Sequence, residues 1–271
     1  MHLNPTIVRL AAAPFIAYVR HFPVRRGKGV ILRGVLGPLL SLLGEVKFAV
    51  PPRGSVRLSA RETLGLHWLV YGPFEEAERE YAAGAVSRGG WAVDVGANVG
   101  VFSLTLAQAL TGGGRLIAVE PLQDNFRRMQ QNLAESGIED VSVVIAAVGV
   151  EPGRARLWRS EDTAYASLNA DSAGRAAVGV EIEVTTLDRI WDAHGNPPVR
   201  FIKVDVEGAE IEALGGARRL LEACRPELLI EVDDRRRLIA LQTLLEGLGY
   251  RRSRPVGFEP WNHLFTHDAG T

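Results

Sequence analysis

Residues 91–121 read WAVDVGANVGVFSLTLAQALTGGGRLIAVEP, and this stretch decides the fold. A short apolar run, Trp91–Val95, leads into a glycine-rich turn, and a helical pattern of apolar residues follows over 99–110. A second apolar run, Leu116–Val119, ends at Glu120. The order of strand, glycine turn, helix, strand and acid is typical of domains that bind a nucleoside-containing cofactor, because glycines let a ligand approach the backbone and a helix N-terminus offers free N–H groups.

The residues of the turn favour one class of cofactor. Glu120 follows Gly100 at the distance where an acid accepts hydrogen bonds from both ribose hydroxyls. A dinucleotide site would carry G-x-G-x-x-G, but Asn98 stands in place of the second glycine and restricts the approach of a pyrophosphate. Asp94 would repel a pyrophosphate and attract an amino or sulfonium group. The turn therefore predicts S-adenosylmethionine, with a purely structural glycine turn as the alternative.

Length and composition exclude several classes of protein. A chain of 271 residues allows one large domain, or one domain with a smaller extension. The formal net charge of -1 provides no global field for nucleic acid, so no nucleic-acid partner is expected. Cys224 is the single cysteine, which excludes an internal disulfide and a cysteine-based zinc site and favours a cytoplasmic location.

The N-terminal region differs from the rest of the chain. We interpret residues 1–60 as a helical, basic extension and residues 61–271 as the cofactor-binding domain. The first 44 residues contain no acid, and apolar runs separate their basic residues. This composition is compatible with peripheral contact to an anionic membrane, with a lid, with a homodimer contact, or with helices packed on the core. No signal peptide is recognisable, and no run of about 18 apolar residues predicts a spanning helix. The basic residues are Arg9, Arg20, Arg25, Arg26, Lys28 and Arg33.

Strand and helix patterns alternate through the rest of the chain. Besides the opening unit, strands are predicted at 55–58, 141–147, 155–158, 180–185, 201–206, 227–232, 250–254 and 262–266, helices at 73–85, 123–136, 209–223 and 235–248, and a loop at 161–179. Such alternation predicts an α/β, Rossmann-like fold with a parallel sheet and helices on both faces. Because ligands bind at the carboxyl ends of parallel strands, four acids at strand ends should converge on one cleft. They are Asp94, Glu120, Asp205 and Glu231.

Several ordered motifs between about residues 70 and 235 resemble the FkbM family of S-adenosylmethionine-dependent methyltransferases. They read GPFE at 72–75, DVGANVG at 94–100, EP at 120–121, NF at 125–126, AVG at 147–149, TLD at 186–188 and IKVDVEGAE at 202–210. The resemblance implies a seven-stranded class I methyltransferase sheet whose last strand is antiparallel. It also implies methyl transfer to a hydroxyl oxygen, often on a sugar, glycan, glycolipid or natural product, with S-adenosylhomocysteine as the second product.

The resemblance also implies roles for individual residues. Gly96, Asn98 and Gly100 would contact the methionine part of the cofactor, and Glu120 would bind the ribose. Ala147 would border the adenine, and Glu75 would close over the cofactor. One position departs from the family pattern: many members carry an acidic or polar residue where this chain has Gly149.

The candidates for catalysis lie in the last of these motifs. An alcohol is a poor nucleophile until a base takes its proton. Asp205 and Glu207 stand at the end of the strand predicted at 201–206, where the alternation of side chains would put both on the same side. Asp205 could instead accept a hydrogen bond from the cofactor's amino group, and Glu207 could be an acid placed at a helix N-terminus. Lys203 is predicted either to pair with Asp205 or Glu120, or to act as a base with a lowered pKa.

A metal site is a weaker hypothesis. Glu231 and Asp233, with Asp205, could offer oxygens to a magnesium ion that activates a hydroxyl. The family does not generally require a metal, and acids at a helix start are often only solvated.

Three further functions fit the sequence less well than O-methyl transfer. A non-catalytic cofactor-binding scaffold is disfavoured by the intact acids at the strand ends. A nicotinamide oxidoreductase is disfavoured by Asn98 and by the absence of a third glycine. An RNA methyltransferase is disfavoured by the near-neutral charge, although the basic N-terminus would suit it.

Overall fold

A twisted sheet of seven strands crosses the middle of the protein and carries the cleft at one end. The computed structural model describes residues 5–21, 32–159, 166–167 and 178–267. The predicted loop at 161–179 lies outside the described residues except for 166–167 and 178–179. The strands are β1 (Glu45–Val50), β2 (Gly54–Ser59), β3 (Trp91–Val95), β4 (Leu116–Val119), β5 (Val141–Val144), β6 (Ala147–Val148), β7 (Gly153–Arg159), β8 (Ala166–Ser167), β9 (Val178–Thr185), β10 (Val199–Val204), β11 (Glu227–Glu231), β12 (Tyr250–Ser253) and β13 (Asn262–His267).

Helices cover both faces of this sheet. In chain order they are α1 (Pro5–His21), α2 (Gly37–Leu40), α3 (Thr63–Tyr71), α4 (Glu76–Val86), α5 (Val101–Ala109), α6 (Gln123–Glu135), α7 (Leu187–Ala193), α8 (Glu210–Gly215), α9 (Arg218–Cys224) and α10 (Arg235–Glu246). A π-helical turn, Leu32–Leu36, and a 3-10 turn, Ser41–Leu43, flank α2.

The strand order of the main sheet is β12-β13-β11-β10-β3-β4-β5. Strands β11, β10, β3, β4 and β5 are parallel, and β13 is antiparallel to both of its neighbours. This order confirms the predicted fold class, an α/β sheet of seven strands with the last strand antiparallel. A second, four-stranded sheet, β6-β9-β7-β8, lies beyond β5.

Burial on both faces explains why the central strands are apolar almost throughout. On one face, Ile202 and Val204 pack in a cluster with Ile190 of α7, Leu220 of α9 and Leu241 of α10. On the other face, Ala92, Phe201 and Leu229 pack with side chains of α4 and α5. Since side chains alternate along a strand, this second face also receives Asp94, Lys203 and Glu231, each two residues further on.

The N-terminal region contains a hairpin as well as helices. Strands β1 and β2 pair antiparallel, and the hairpin is tied to α6 by a hydrogen bond of 2.8 Å from the Arg57 N–H to Asn132 Oδ1. Helix α1 packs Ala12 and Val19 into a cluster with residues of the α2 region and α3. Its other side exposes Ile7 and Leu10, at 58% and 68%. Among the described residues, no helix is long and apolar enough to cross a membrane.

The structure corrects three predicted boundaries near the cleft. The strand predicted at 141–147 is two strands, because β6 leaves the main sheet and pairs with β9. The strand predicted at 201–206 ends at Val204, so Asp205 and Glu207 lie in the loop that follows it. The helix predicted at 209–223 is broken near Gly216, where a Cβ atom would lie 2.1 Å from the backbone oxygen of Gly149.

Candidate active site

A cleft opens at the carboxyl ends of β3, β4 and β10, where the sequence predicts the cofactor site. The space between its walls, the open mouth included, is about 690 Å³. Pockets for small ligands commonly fall in this range. The lining residues are Val95, Gly96, Asn98, Val119, Glu120, Pro121, Asn125, Ala146, Ala147, Val148, Leu157, Asp205, Val206, Glu207 and Ala209. The structure therefore brings together five of the predicted cofactor residues, namely Gly96, Asn98, Glu120, Ala147 and Asp205.

The glycine turn lies directly against the loop after β10. Gly96 has φ +82, and a Cβ atom there would lie 1.8 Å from the backbone oxygen of Asp205. The Asp205 N–H also donates to the backbone oxygen of Val95 at 2.9 Å. Asn98 adopts φ 51, a left-handed conformation that asparagine tolerates better than most residues. The turn thus fixes where Asp205 leaves its strand.

Glu120 is the central polar group of the cofactor side. Its carboxylate accepts the Asn98 N–H at 2.9 Å on one oxygen, and the Leu122 N–H at 2.9 Å and the Asn125 amide at 3.2 Å on the other. A carboxylate offers about four acceptor positions, so one stays open on the oxygen that faces Asn98. Burial raises the pKa of Glu120 to about 7, although these hydrogen bonds oppose the shift.

Three predicted cofactor residues do not line the cleft. Asp94 is 1% exposed, and its carboxylate accepts a hydrogen bond of 2.5 Å from the Ser103 hydroxyl. Burial raises the pKa of Asp94 to about 6. Gly100, at φ +88, precedes α5 and faces Met129, whose Cγ would be 2.7 Å from a Cβ atom. Glu75 is 7% exposed. None of the three is among the residues that line the cleft.

A buried lysine gathers three carboxylates beside the cleft; we call Lys203, Glu75, Asp205 and Glu231 the Lys203 cluster. The Lys203 Nζ lies 3.6 Å from Asp205 Oδ2, 3.8 Å from Glu75 Oε1 and 3.8 Å from Glu231 Oε2. Among the described residues, Nζ has no hydrogen-bond acceptor, and the Phe102 ring lies 5.7 Å away. The side chain of Lys203 is 2% exposed, whereas those of Asp205 and Glu231 are 29% and 26% exposed.

The charges in this cluster contradict one interpretation of Lys203. Burial alone would lower the pKa of the Lys203 ammonium, but Glu75, Asp205, Glu231 and Asp94 together raise it. The side chain stays protonated and is not a base with a lowered pKa. The structure places Lys203 beside Asp205, one of its two predicted partners, and not beside Glu120.

Glu75 is held by residues that the sequence did not indicate. Its backbone has φ 50, a left-handed conformation that is uncommon for glutamate. Its Oε1 accepts a hydrogen bond of 2.5 Å from the amide of Asn262, at the start of the last strand. Burial raises the pKa of Glu75, and Lys203 opposes this shift. Asn262 could not be found from local signals, because its contact joins the two ends of the domain.

Glu207 lies at the cleft but not in the predicted setting. It is exposed and has φ 50, in the loop between β10 and α8. Because β10 ends at Val204, strand alternation does not place Glu207 beside Asp205, and α8 begins only at Glu210. Crowding by protein atoms, and then the charges of Asp205, Asp233 and Glu210, raise the pKa of Glu207 to about 8.

The structure does not support the magnesium hypothesis. Asp233 is 78% exposed at its side chain and pairs with Arg237 at 2.8 Å. Glu231 instead faces Lys203. Within the described ranges, no group of three histidine, cysteine or acidic side chains is arranged to hold a metal ion.

Sequence reasoning missed two kinds of cleft residue. Asn125 lies in the NF motif at 125–126, but the motif alone does not indicate that its amide donates a hydrogen bond to Glu120. Leu157 reaches the cleft from β7 of the second sheet, and no local pattern connects that strand with β4.

A known family and a known methyltransferase each match more than half of the chain. The family described as "Methyltransferase FkbM domain" matches residues 94–252. "Methyltransferase 1" of Beauveria bassiana (strain ARSEF 2860) is 27% identical over 177 residues, which cover 58% of this chain and 71% of that protein.

Two solved methyltransferases are similar to part of this chain. Methyltransferase FkbM from Methylobacillus flagellatus KT is 22% identical with a TM-score of 0.48, and the match covers 74% of this chain but only 52% of that chain, about half its length. A putative methyltransferase from Streptococcus mutans, solved in complex with SAH, is 11% identical with a TM-score of 0.44, over 70% of this chain and 96% of the other. Because the family match spans more than half of the sequence, the chain belongs to the FkbM methyltransferase family, and its methyl donor is S-adenosylmethionine.

Proposed function

We propose that this methyltransferase transfers the methyl group to a hydroxyl oxygen of an uncharged acceptor, such as a sugar, glycan, glycolipid or natural product. The observation that carries the proposal is the position of Asp205. Its backbone is fixed against the glycine turn, and its carboxylate is partly exposed at the cleft. A base in that place can take the proton of an alcohol that enters beside the donor.

The residues of the cleft fit S-adenosylmethionine. Glu120 keeps an open acceptor position for a ribose hydroxyl, and Asn98 Oδ1 is a buried acceptor without a partner in the described structure. Gly96 leaves room where any side chain would collide with the backbone of Asp205. Ala147 and Leu157 offer an apolar wall to the adenine. In this proposal Glu120 binds the ribose, and the turn at 96–98 holds the methionine part.

Bound S-adenosylmethionine supplies a methyl group on a sulfonium, which is already an excellent leaving group. The protein therefore has mainly to align the acceptor and to remove its proton. Asp205 accepts the hydroxyl proton as the oxygen–carbon bond forms. Glu207, which lines the same cleft, can accept a hydrogen bond from another hydroxyl of the acceptor.

The charge at the rim supports an uncharged acceptor. Asp205, Glu207, Glu231 and Asp233 all lie at or near this end of the sheet, and the ammonium of Lys203 is buried beneath them. A phosphorylated or carboxylated acceptor would meet carboxylates at close range and be repelled. This arrangement argues against RNA as the acceptor, since each nucleotide carries a phosphate.

Binding of the product tests the cofactor assignment of the cleft. We expect S-adenosylhomocysteine to bind with micromolar affinity in isothermal titration calorimetry, and Glu120→Ala to abolish the signal because the ribose loses its acceptor. Glu139→Ala, which removes an exposed acid beyond α6, is the control and should bind like the wild type. Wild-type protein that shows no heat and no competition with either ligand would refute this assignment.

Turnover tests the role of Asp205. With a labelled methyl donor and a panel of neutral glycans, Asp205→Asn should lower turnover by about 10²–10⁴-fold, the usual contribution of a general base. Affinity for S-adenosylhomocysteine should change much less. An equal loss of both would make Asp205 a cofactor ligand, and methylation of amines in place of hydroxyls would contradict oxygen as the acceptor atom.

A further inference from the structure

We propose that Lys203 is a positioning residue that keeps Asp205 ionised at the cleft, and that Glu75 and Glu231 compete with Asp205 for the same ammonium. The inference rests on the proposed function, in which Asp205 is the base. It adds a residue that touches neither the donor nor the acceptor but sets the charge of the group that does.

The fold fixes the lysine with little freedom. Lys203 lies in the centre of the sheet, beside Asp94 of β3 and Leu229 of β11 in the strand register. The Phe102 ring of α5 lies 5.7 Å from its Nζ. A long side chain usually loses its rotamer freedom at a cost, and here the sheet and the ring hold it in place. The ammonium therefore stays where three carboxylates reach it.

The distances show that the Lys203 ammonium has no single ion-pair partner among the three carboxylates. Three oxygens approach Nζ to 3.6–3.8 Å, from the segment before α4, from the loop after β10 and from the end of β11. None forms a hydrogen bond with it. A tight pair would show one short contact of about 2.7–2.9 Å. The near-equal distances are those of a shared charge.

The groups that face Lys203 carry more negative than positive charge. They are Glu75, Asp94 from β3, Asp205 and Glu231. The cations of the neighbouring helices are engaged elsewhere: Arg79 of α4 donates to the Phe74 carbonyl, and Arg237 of α10 pairs with Asp233. One ammonium cannot keep all four carboxylates ionised away from water. Burial raises the pKa of Glu75, Asp94 and Glu231, and the ammonium of Lys203 opposes this shift in all three.

This arrangement balances two needs of a base. Lys203 stabilises the ionised form of Asp205, so the base is ready to accept a proton. Glu75 and Glu231 lie as close to the ammonium as Asp205 does to within 0.2 Å, so Lys203 is not the partner of Asp205 alone. Asn262 secures Glu75 through its hydrogen bond, so the last strand takes part in setting this balance.

A carboxyl 13C NMR titration tests the inference without an acceptor, with the Asp205 resonance assigned from Asp205→Asn. Lys203→Met preserves length and apolar packing against Phe102 but removes the charge. We expect the titration midpoint of Asp205 to rise by about 1–3 pH units, the effect of losing an opposite charge within 4–6 Å. Lys47→Met, which removes a surface lysine 3.2 Å from Glu135, should leave the midpoint unchanged.

A second variant should move the same resonance in the opposite direction. Glu75→Gln retains an oxygen for Asn262 but removes one competitor for the ammonium, so the midpoint of Asp205 should fall. Glu76→Gln changes the exposed neighbouring residue and should have no effect. This variant also tests the inference if Lys203→Met does not fold.

Shifts of the Asp205 midpoint in opposite directions in the two variants indicate charge sharing. A merely structural role of Lys203 and Glu75 would leave this midpoint unchanged in both variants. A midpoint of Asp205 that is the same in the wild type and in every folded variant of Lys203 and Glu75 would overturn the inference. The same samples, titrated with S-adenosylhomocysteine, report on the cofactor site independently. If the wild-type protein did not bind S-adenosylhomocysteine, this would contradict the proposed function but not charge sharing around Lys203.

Discussion

The glycine-turn side of the cleft and the Lys203 cluster differ in which parts of the chain build them and in how their polar groups are paired. The first is built from one continuous unit, β3, α5 and β4, and its acceptor, Glu120, receives three hydrogen bonds from residues 98–125. The second is built from three distant segments, and its lysine is surrounded by charge without a hydrogen bond. Local geometry is sufficient for the cofactor side, whereas the charged side exists only when the whole sheet has formed.

The largest expected effect concerns the charged side. Glu75→Ala removes one partner of a buried ion pair and the nearer of the two carboxylates that accept from the Asn262 amide, so we expect a loss of about 3–5 kcal/mol in the free energy of unfolding. Urea denaturation measures it, and Glu76→Ala is the exposed control. If both variants were equally stable, the cluster would not depend on Glu75, and the contrast between the two sides would disappear.

A smaller loss is expected on the cofactor side. Gly96→Ala places a Cβ atom against the backbone of Asp205 in a left-handed conformation, which should cost about 1–3 kcal/mol in stability. Affinity for S-adenosylhomocysteine should fall as well, because the turn must shift. Gly84→Ala, in the last turn of α4 with open space around it, should instead stabilise the protein by about 0.5–1 kcal/mol. A Gly96 variant that behaves like the Gly84 variant would show that the turn is not closely packed.

The smallest expected effect is a dependence on pH. The pKa of Glu120 is raised to about 7 from an ordinary value of 4.5, so the carboxylate gains a proton as the pH falls through 7. A ribose hydroxyl is bound best by the ionised form, so affinity for S-adenosylhomocysteine should weaken by at most about tenfold per pH unit below 7. Calorimetry between pH 8 and 6, flanking the pKa of about 7, measures this, and Glu120→Gln should flatten the profile.

The raised pKa of Glu120 also makes the stability of the folded protein depend on pH, in the opposite direction to the affinity for S-adenosylhomocysteine. Between 4.5 and about 7 the folded protein binds a proton at Glu120 that the unfolded chain has released. The contribution of this group to stability is therefore complete below 4.5 and is lost as the pH rises through 7. If affinity and stability changed in the same direction with pH, Glu120 would not be the group responsible.

The cofactor side could be predicted from the sequence because each of its signals is local. The apolar run before the turn, the glycines and the acid after β4 lie within a short stretch, and the structure places them around one cleft. Gly96 and Asn98 also adopt the left-handed conformations that such a turn needs. The antiparallel last strand was implied by the resemblance and not by any local pattern.

The remainder depends on contacts that sequence patterns do not contain. The break in the helix at 209–223 arises because Gly216 packs against the backbone of Gly149, and this contact is invisible to helical periodicity. Sequence patterns did not predict strand β1 or helix α3. The hairpin of β1 and β2 is held against α6 by the hydrogen bond from the Arg57 N–H to Asn132. The orientation of Asp94 away from the cleft follows from its pairing with Ser103, which only the packed helix provides.

The position of β13 between β11 and β12 has a consequence for assembly. The last described strand is inserted inside the sheet, and it brings the amide that secures Glu75. Before β13 docks, β11 is a bare edge and β12 has no strand to pair with in this sheet. The charged end of the cleft therefore assembles only after two segments far apart along the chain have met.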